Sequence, residues 1–119
     1  MGVPQYEDEH LSVNFGQRQV ALDGQRLELR KKEYELFALL VRHAAQVVPR
    51  EILLREVWGY SSEVRTRTLD VHVRRLRAKL GDYAEQYIET IFGVGYRFQP
   101  FCPPRFAQPA GGLRTAAGV

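Results

Sequence analysis

The chain has 119 residues, 45% of them hydrophobic and 26% charged, with a formal net charge of +3, which suits one globular domain able to bury a modest core without staples. No apolar run approaches the roughly 18 residues of a membrane span, and Met1 to His10 is polar and acidic, unlike a signal peptide, so a cytoplasmic protein is expected. The single cysteine, Cys102, has no partner in the chain for a disulfide or for a zinc site built on several thiolates.

Residues 1–10 read as an N-terminal extension and residues 11–100 as the folded domain. Leu11, Val13 and Phe15, then Val20 and Leu22, then Leu27 and Leu29 alternate with period two, the spacing of half-buried strands. Asp23-Gly24 separates the second and third runs and suits a two-residue hairpin, since both residues tolerate positive φ. A small antiparallel sheet is expected here. From Lys32 the period lengthens: Tyr34, Phe37, Leu40 and Val41, widened by Leu36 and Leu39, predict a first helix ending near His43. A second helix is predicted from Pro49, tolerated at a first helical position, through Leu53, Leu54, Val57 and Trp58 to a stop at Gly59. Gly59 to Val64, "GYSSEV", reads as a polar loop, and Arg65 to Leu80 as a third helix with Gly81 as its C-cap. "YIETIFGVGYRF" then predicts a hairpin with Gly93-Val94-Gly95 at its tip. Residues 101–119, rich in Pro, Gly and small side chains, carry too little apolar bulk to offset ordering entropy, and a disordered tail is expected.

Charge is concentrated in the third helix. Arg65, Arg67, Arg74, Arg75, Arg77 and Lys79 against Asp70 give "RTRTLDVHVRRLRAKL" a local charge of +5, which leaves −2 for the rest of the chain. A local positive field of this kind fits a polyanion, phosphate backbone first; an anionic membrane would need an exposed apolar face beside the charges. At about 100° per residue, Leu80, Val73 and Leu76 fall near 20°, 40° and 340° from Leu69, and the opposite face collects Arg74, Arg67, Ala78, Val71 and Arg75. Arg75 can donate two bonds to a guanine while Val71 meets a thymine methyl. The competing accounts are a surface-tolerated valine and an Arg74 paired with Asp70 four residues earlier. Arg77 and Lys79 flank the central face and are expected to meet the groove walls. His72, with no Cys or carboxylate cluster around it, is expected to hydrogen-bond phosphate, and neither a metal nor another cofactor is expected.

Catalysis finds no support. There is no Gly-rich phosphate loop, metal-ligand spacing or Ser/His/Asp arrangement, and Glu33 and Glu35 lie about 200° apart on a helix. Non-specific nucleic-acid binding and protein docking through Trp58, Tyr60 and Phe92 are the rival binding functions.

"RTLDVHVRRLRAKL", followed by "IETIFGVGYRF" and preceded by "LLREVWG" and "EYELFALL", resembles the effector domain of OmpR/PhoB-type response regulators over roughly Leu11 to Phe98. The resemblance implies an α+β winged helix-turn-helix: an N-terminal antiparallel sheet, three helices and a C-terminal β-hairpin wing, serving transcription regulation. It implies base-edge contacts from Val71 and Arg75 and phosphate contacts from Trp58, Arg67, His72, Arg74, Arg77, Thr90 and Tyr96. Thr68, Lys79, Phe92, Gly93 and Arg97 complete the candidate DNA surface. The loop of Gly59, Tyr60, Ser61, Ser62, Glu63 and Val64 falls where such regulators touch RNA polymerase, a plain helix connection being the alternative. Phe92 stands where some relatives carry a minor-groove arginine, and packing of its ring against the domain is expected instead. The implied partners are double-stranded DNA in direct repeats and RNA polymerase, with a monomer off DNA and a head-to-tail pair on it. No receiver domain precedes the motifs, so the expectation is the C-terminal half of a longer two-component regulator, a free-standing binder or docking module being the alternative.

Overall fold

The computed structural model describes residues 6–59 and 66–101. Of the tail expected to be disordered, residues 101–119, Phe101 is instead held by Asp8 (3.2 Å), and residues 102–119 lie outside the described residues. Four antiparallel strands open the chain, β1 (Tyr6–Glu7), β2 (Leu11–Asn14), β3 (Gln19–Leu22) and β4 (Gln25–Leu27), paired in that order. The period-two residues set the register: Leu11, Val13 and Val20 are buried, with Val13 opposite Val20. Asp23 (φ 51°) and Gly24 (φ 80°) make the β3–β4 turn, as a primed two-residue hairpin requires.

Helix α1 (Lys31–Arg42) follows, then a short strand β5 (Val47–Pro49), α2 (Arg50–Trp58) and α3 (Thr66–Leu80). A 3₁₀ turn (Gly81–Tyr83) and α4 (Ala84–Tyr87) lead into β6 (Ile88–Ile91) and β7 (Gly95–Phe98), and β5, β7 and β6 form a second sheet with β7 central. Pro49 caps α2 rather than entering it. Strand β5 has no sequence period because three residues are too few to show one; it exists because β7 offers it an edge, Val48 lying opposite Tyr96. Gly81 adopts the expected left-handed conformation (φ 61°), but the chain then coils on through the 3₁₀ turn and α4.

The core lies between the helices and the two sheets. Leu36 and Leu40 of α1, Leu53 of α2, and Leu69, Val73, Leu76 and Leu80 of α3 are buried, each contributing about 1.5–3 kcal/mol by leaving water. Phe98 joins the layers: its ring stacks on Tyr87 (5.6 Å between centroids) and meets Phe37 and Tyr6 edge-on (5.8 and 5.2 Å). Among the described residues no helix is long and apolar enough to cross a membrane.

The compact unit begins earlier than Leu11. Asp8 accepts hydrogen bonds from the hydroxyls of Tyr6 and Tyr87 and from the backbone amides of His10, Leu11 and Phe101, tying β1 and Phe101 to the body. Burial pushes the Asp8 carboxyl up, but the bonds from Tyr6, Leu11, His10 and Tyr87 outweigh it and hold the group below the usual carboxylate range.

Lys79 corrects an expectation. Its ammonium donates to the Glu33 carboxylate (2.6 Å) and to the Glu28 carbonyl (2.8 Å), so it faces α1 and not a groove wall. Glu33 is 1% exposed and also accepts from the Arg30 amide at the start of α1 (3.0 Å). Burial raises its carboxyl, yet the Lys79 and Arg30 bonds and charges prevail and keep it low. A carboxylate sealed this way needs its cation, because an unpaired buried charge costs several kcal/mol.

Lys79→Met is therefore expected to lower unfolding free energy in urea by about 3 kcal/mol, with much of the loss recovered when Glu33→Leu is added; a single variant as stable as the parent would show the pair to be dispensable. The Asp8 cluster has a pH signature. A depressed folded-state pKa makes its contribution complete above the unfolded value of about 3.9 and lost as pH falls through the folded value. Asp8→Asn should cost about 2 kcal/mol at neutral pH, and its deficit should shrink toward acid; a deficit constant from neutral pH to about pH 3 would contradict this.

Candidate nucleic-acid interface

The buried stripe sets the rotation of α3 about its own axis. With Leu69, Val73, Leu76 and Leu80 between 0% and 2% exposed, the residues half a turn away face outward. Arg67, Arg74, Arg75 and Ala78 are exposed, and Thr68, Val71 and His72 are half-buried at the edge of the same face. Val71 and Arg75 thus share an accessible surface. Arg67, Arg74 and Arg75 form no hydrogen bond or ion pair with another described residue, so all their donors are available outward.

Asp70 does not neutralise Arg74 by contact. It accepts from the Arg50 guanidinium of α2 (2.6 Å) and from the Tyr96 hydroxyl of β7 (2.7 Å). Burial pushes the Asp70 carboxyl up, while the bonds from Tyr96 and Arg50 and the charges of Arg50 and Arg74 bring it below its ordinary value. Arg50 was not legible as part of this surface. The one available signal is a cation in the first turn of a helix, where the macrodipole disfavours positive charge and a compensating anion has to be sought.

Tyr96 was expected to contact phosphate, and the structure turns it inward. It is 5% exposed, its single hydroxyl proton goes to Asp70, and the guanidinium groups of Arg50 and Arg77 each lie 5.8 Å from its ring. Arg77 is likewise directed inward: its Nη2 donates to the Ile88 carbonyl (2.9 Å) and to Thr90 Oγ1 (2.7 Å), so it fastens α3 to β6 instead of standing at a groove wall. Thr90 accepts that bond and keeps its own hydroxyl proton. Arg97 is matched across the sheet by Glu89, opposite it in register, with two bonds to one carboxylate oxygen (3.0 and 2.8 Å).

Trp58, at the end of α2, packs edge-on against His72 (5.0 Å), and His72 Nδ1 donates to the Thr68 carbonyl (2.8 Å). The imidazole is therefore positioned by two neighbours. With its Nδ1 proton committed to a carbonyl, the ring has Nε2 left to face a phosphate. Among the described residues no group of three His, Cys, Asp or Glu side chains could hold a metal ion.

The hairpin turns where expected, with Gly93 at φ 80°. Gly95 has a different reason from the tight turn assigned to it: a Cβ there would lie 2.0 Å from the Val48 carbonyl oxygen, so its bare backbone lets β5 approach β7. Phe92 is the clearest reversal. Packing against the domain was expected, and the ring is instead 90% exposed. Gly59 closes α2 at φ 102°, a conformation suited to glycine; Tyr60, Ser61, Ser62, Glu63 and Val64 of the candidate polymerase loop lie outside the described residues.

Comparison with known proteins agrees with this geometry. Residues 24–98 match the family described as "Transcriptional regulatory protein, C terminal". The chain is 43% identical over 93 residues to the transcriptional regulatory protein YclJ of Bacillus subtilis, a match covering 77% of this chain and 41% of that protein. The response regulator DrrB, an OmpR/PhoB homologue from Thermotoga maritima, superposes with a TM-score of 0.73 at 35% identity, covering 80% of this chain and 44% of DrrB. The DNA-binding domain of Klebsiella pneumoniae RstA, solved in complex with the RstA box, gives a TM-score of 0.72 at 32% identity, covering 81% of this chain and 97% of that one. The chain thus spans less than half of YclJ and DrrB and nearly all of the RstA domain. With the four-stranded sheet, three helices and wing in the expected order, this chain belongs to the OmpR/PhoB family as a C-terminal winged-helix domain, the DNA-binding output module of response regulators.

Proposed function

We propose that this domain recognises a specific double-stranded DNA sequence by laying α3 in the major groove, with the wing on the flanking backbone or minor groove, and so regulates transcription from the cytoplasm. The observation that carries this reading is the exposed, internally uncommitted trio Arg67, Arg74 and Arg75 on the face opposite the buried stripe. Arg75 offers a bidentate donor to guanine beside the methyl groups of Val71, and Arg67 and Arg74 supply phosphate contacts. His72, steadied by Trp58, and Thr68 add polar groups along one edge of α3, Thr90 adds a hydroxyl on β6 beside Arg77, and Gly93 allows the wing backbone close to the duplex.

Two copies on direct repeats, arranged head-to-tail with centres about one helical turn apart, are the proposed arrangement, a reading supported by the family resemblance. The loop from Gly59 to Val64 is the proposed contact with RNA polymerase, and a receiver domain in a longer regulator is the proposed source of control. The complex of the RstA domain with its box supports the DNA target by similarity.

On a duplex selected from a random pool, Arg75→Ala should lose about 1–3 kcal/mol concentrated at one base pair. Equal weakening on every sequence would remove Arg75 from specific readout. Arg74→Ala should weaken binding uniformly and reduce the slope of log K against log salt by about 1, as expected when one phosphate contact is deleted. An unchanged slope would leave Arg74 outside the phosphate surface.

A further inference from the structure

Phe92 and Val94 are the large apolar side chains that the described residues leave exposed, at 90% and 44%. They flank Gly93 at the tip of the wing, and that tip is held in place. The Val94 amide donates to the Ile91 carbonyl (2.9 Å), the Arg50 amide at the start of α2 donates to the Val94 carbonyl (2.9 Å), and the neighbouring Gly95 lies against β5. A phenyl ring 90% exposed on a braced turn contributes little to folding and is open to a partner outside the domain.

The character of that partner follows from what surrounds the ring. The tip carries no charge of its own, and Arg97, the cation of the adjoining strand, is matched by Glu89. The side chains of the tip therefore offer phosphate no charge. Yet Arg77 ties β6 to α3 through Ile88 and Thr90, and Tyr96 ties β7 to Asp70 near the start of α3, so the tip is fixed relative to the exposed arginines. When α3 engages a duplex, what lies beyond its groove wall is the neighbouring minor groove, whose apolar parts are sugar edges and the faces of stacked bases.

Resting on the DNA reading above, we propose that Phe92 is an apolar wedge: its ring enters the minor groove beside the α3 site and leans into one base step, while Val94 covers the adjoining sugars. Side chains of this kind partly unstack a step and bend the duplex, and pyrimidine–purine steps such as TA and CA yield most easily. Phe92 is then a specificity-determining residue. It makes the deformability of a step flanking the major-groove site part of what the domain selects, without a hydrogen bond to any base.

The test uses a duplex selected from a random pool by the unaltered chain, with 2-aminopurine placed in turn at each flanking position. Binding should raise the fluorescence severalfold at one step, and Phe92→Ala should abolish that rise and weaken binding about tenfold, with Phe92→Leu in between. Replacing that step by AA should weaken the unaltered chain about tenfold and leave Phe92→Ala unaffected. Thermal unfolding of the variants should match the parent, because a ring 90% exposed has little packing to lose. The proposal is overturned if Phe92→Ala binds with undiminished affinity and the same step preference, or if its only deficit is in retention of RNA polymerase on the bound duplex, which would make the ring a protein contact. Failure of the unaltered chain to select any duplex would overturn the DNA reading and the wedge with it.

Discussion

Burial of four side chains on one edge of α3 is the constraint from which the interface follows. Leu69, Val73, Leu76 and Leu80 lie within about 60° of one another around the helix axis, and all four are sealed against α1, α2 and α4. A stripe that narrow leaves the helix one rotational setting. Turning it by a quarter turn would expose leucine and bury arginine, and both changes oppose folding. Presentation of Arg74 and Arg75 is therefore a consequence of core packing, and it needs no bonds of its own to hold it.

The cations of α3 divide by the side of that stripe on which they fall. Those opposite it, Arg67, Arg74 and Arg75, form no side-chain hydrogen bond or ion pair with another described residue, whereas Arg77 and Lys79 at its margins reach neighbouring elements and bond there. The positive field offered to a polyanion is accordingly weaker than the helix's formal charge and more sharply localised. It gains geometry in exchange. Lys79 locks α3 to the buried Glu33 of α1, and Arg77 locks it to the wing, so helix and hairpin meet an external surface as one rigid piece.

The wing is joined to the helices by a small polar assembly around one aromatic ring. Tyr96 lies close to the guanidinium groups of Arg50 and Arg77 and donates its hydroxyl proton to Asp70, which Arg50 also holds. Three elements converge on that carboxylate: α2 through Arg50, α3 through Asp70 itself and β7 through Tyr96. Charge-assisted bonds are directional as well as strong, so this assembly sets the angle of the hairpin to α3 more tightly than apolar packing alone would. The hairpin tip beyond it is left apolar, glycine-bearing and open.

Period, turn chemistry and helix signals in the sequence determined the order of the main elements, the Asp23-Gly24 hairpin and the outward face of α3, because each depends on residues close together along the chain. The exposure of Arg74 and Arg75 was legible for the same reason: a helix wheel is local geometry. Tertiary structure decided which polar groups find one another across long stretches of chain. Glu33 with Lys79, Arg50 with Asp70, and Tyr6 and Tyr87 with Asp8 leave no periodic trace. Nor does β5, a strand made by its neighbour's edge, or Phe92, whose ring could pack or protrude until the braced turn beneath it settled the direction. A side chain's neighbours along the chain fix where it points from its own element, but only the assembled fold supplies the partner that turns Lys79 and Tyr96 inward and leaves Arg75 facing out.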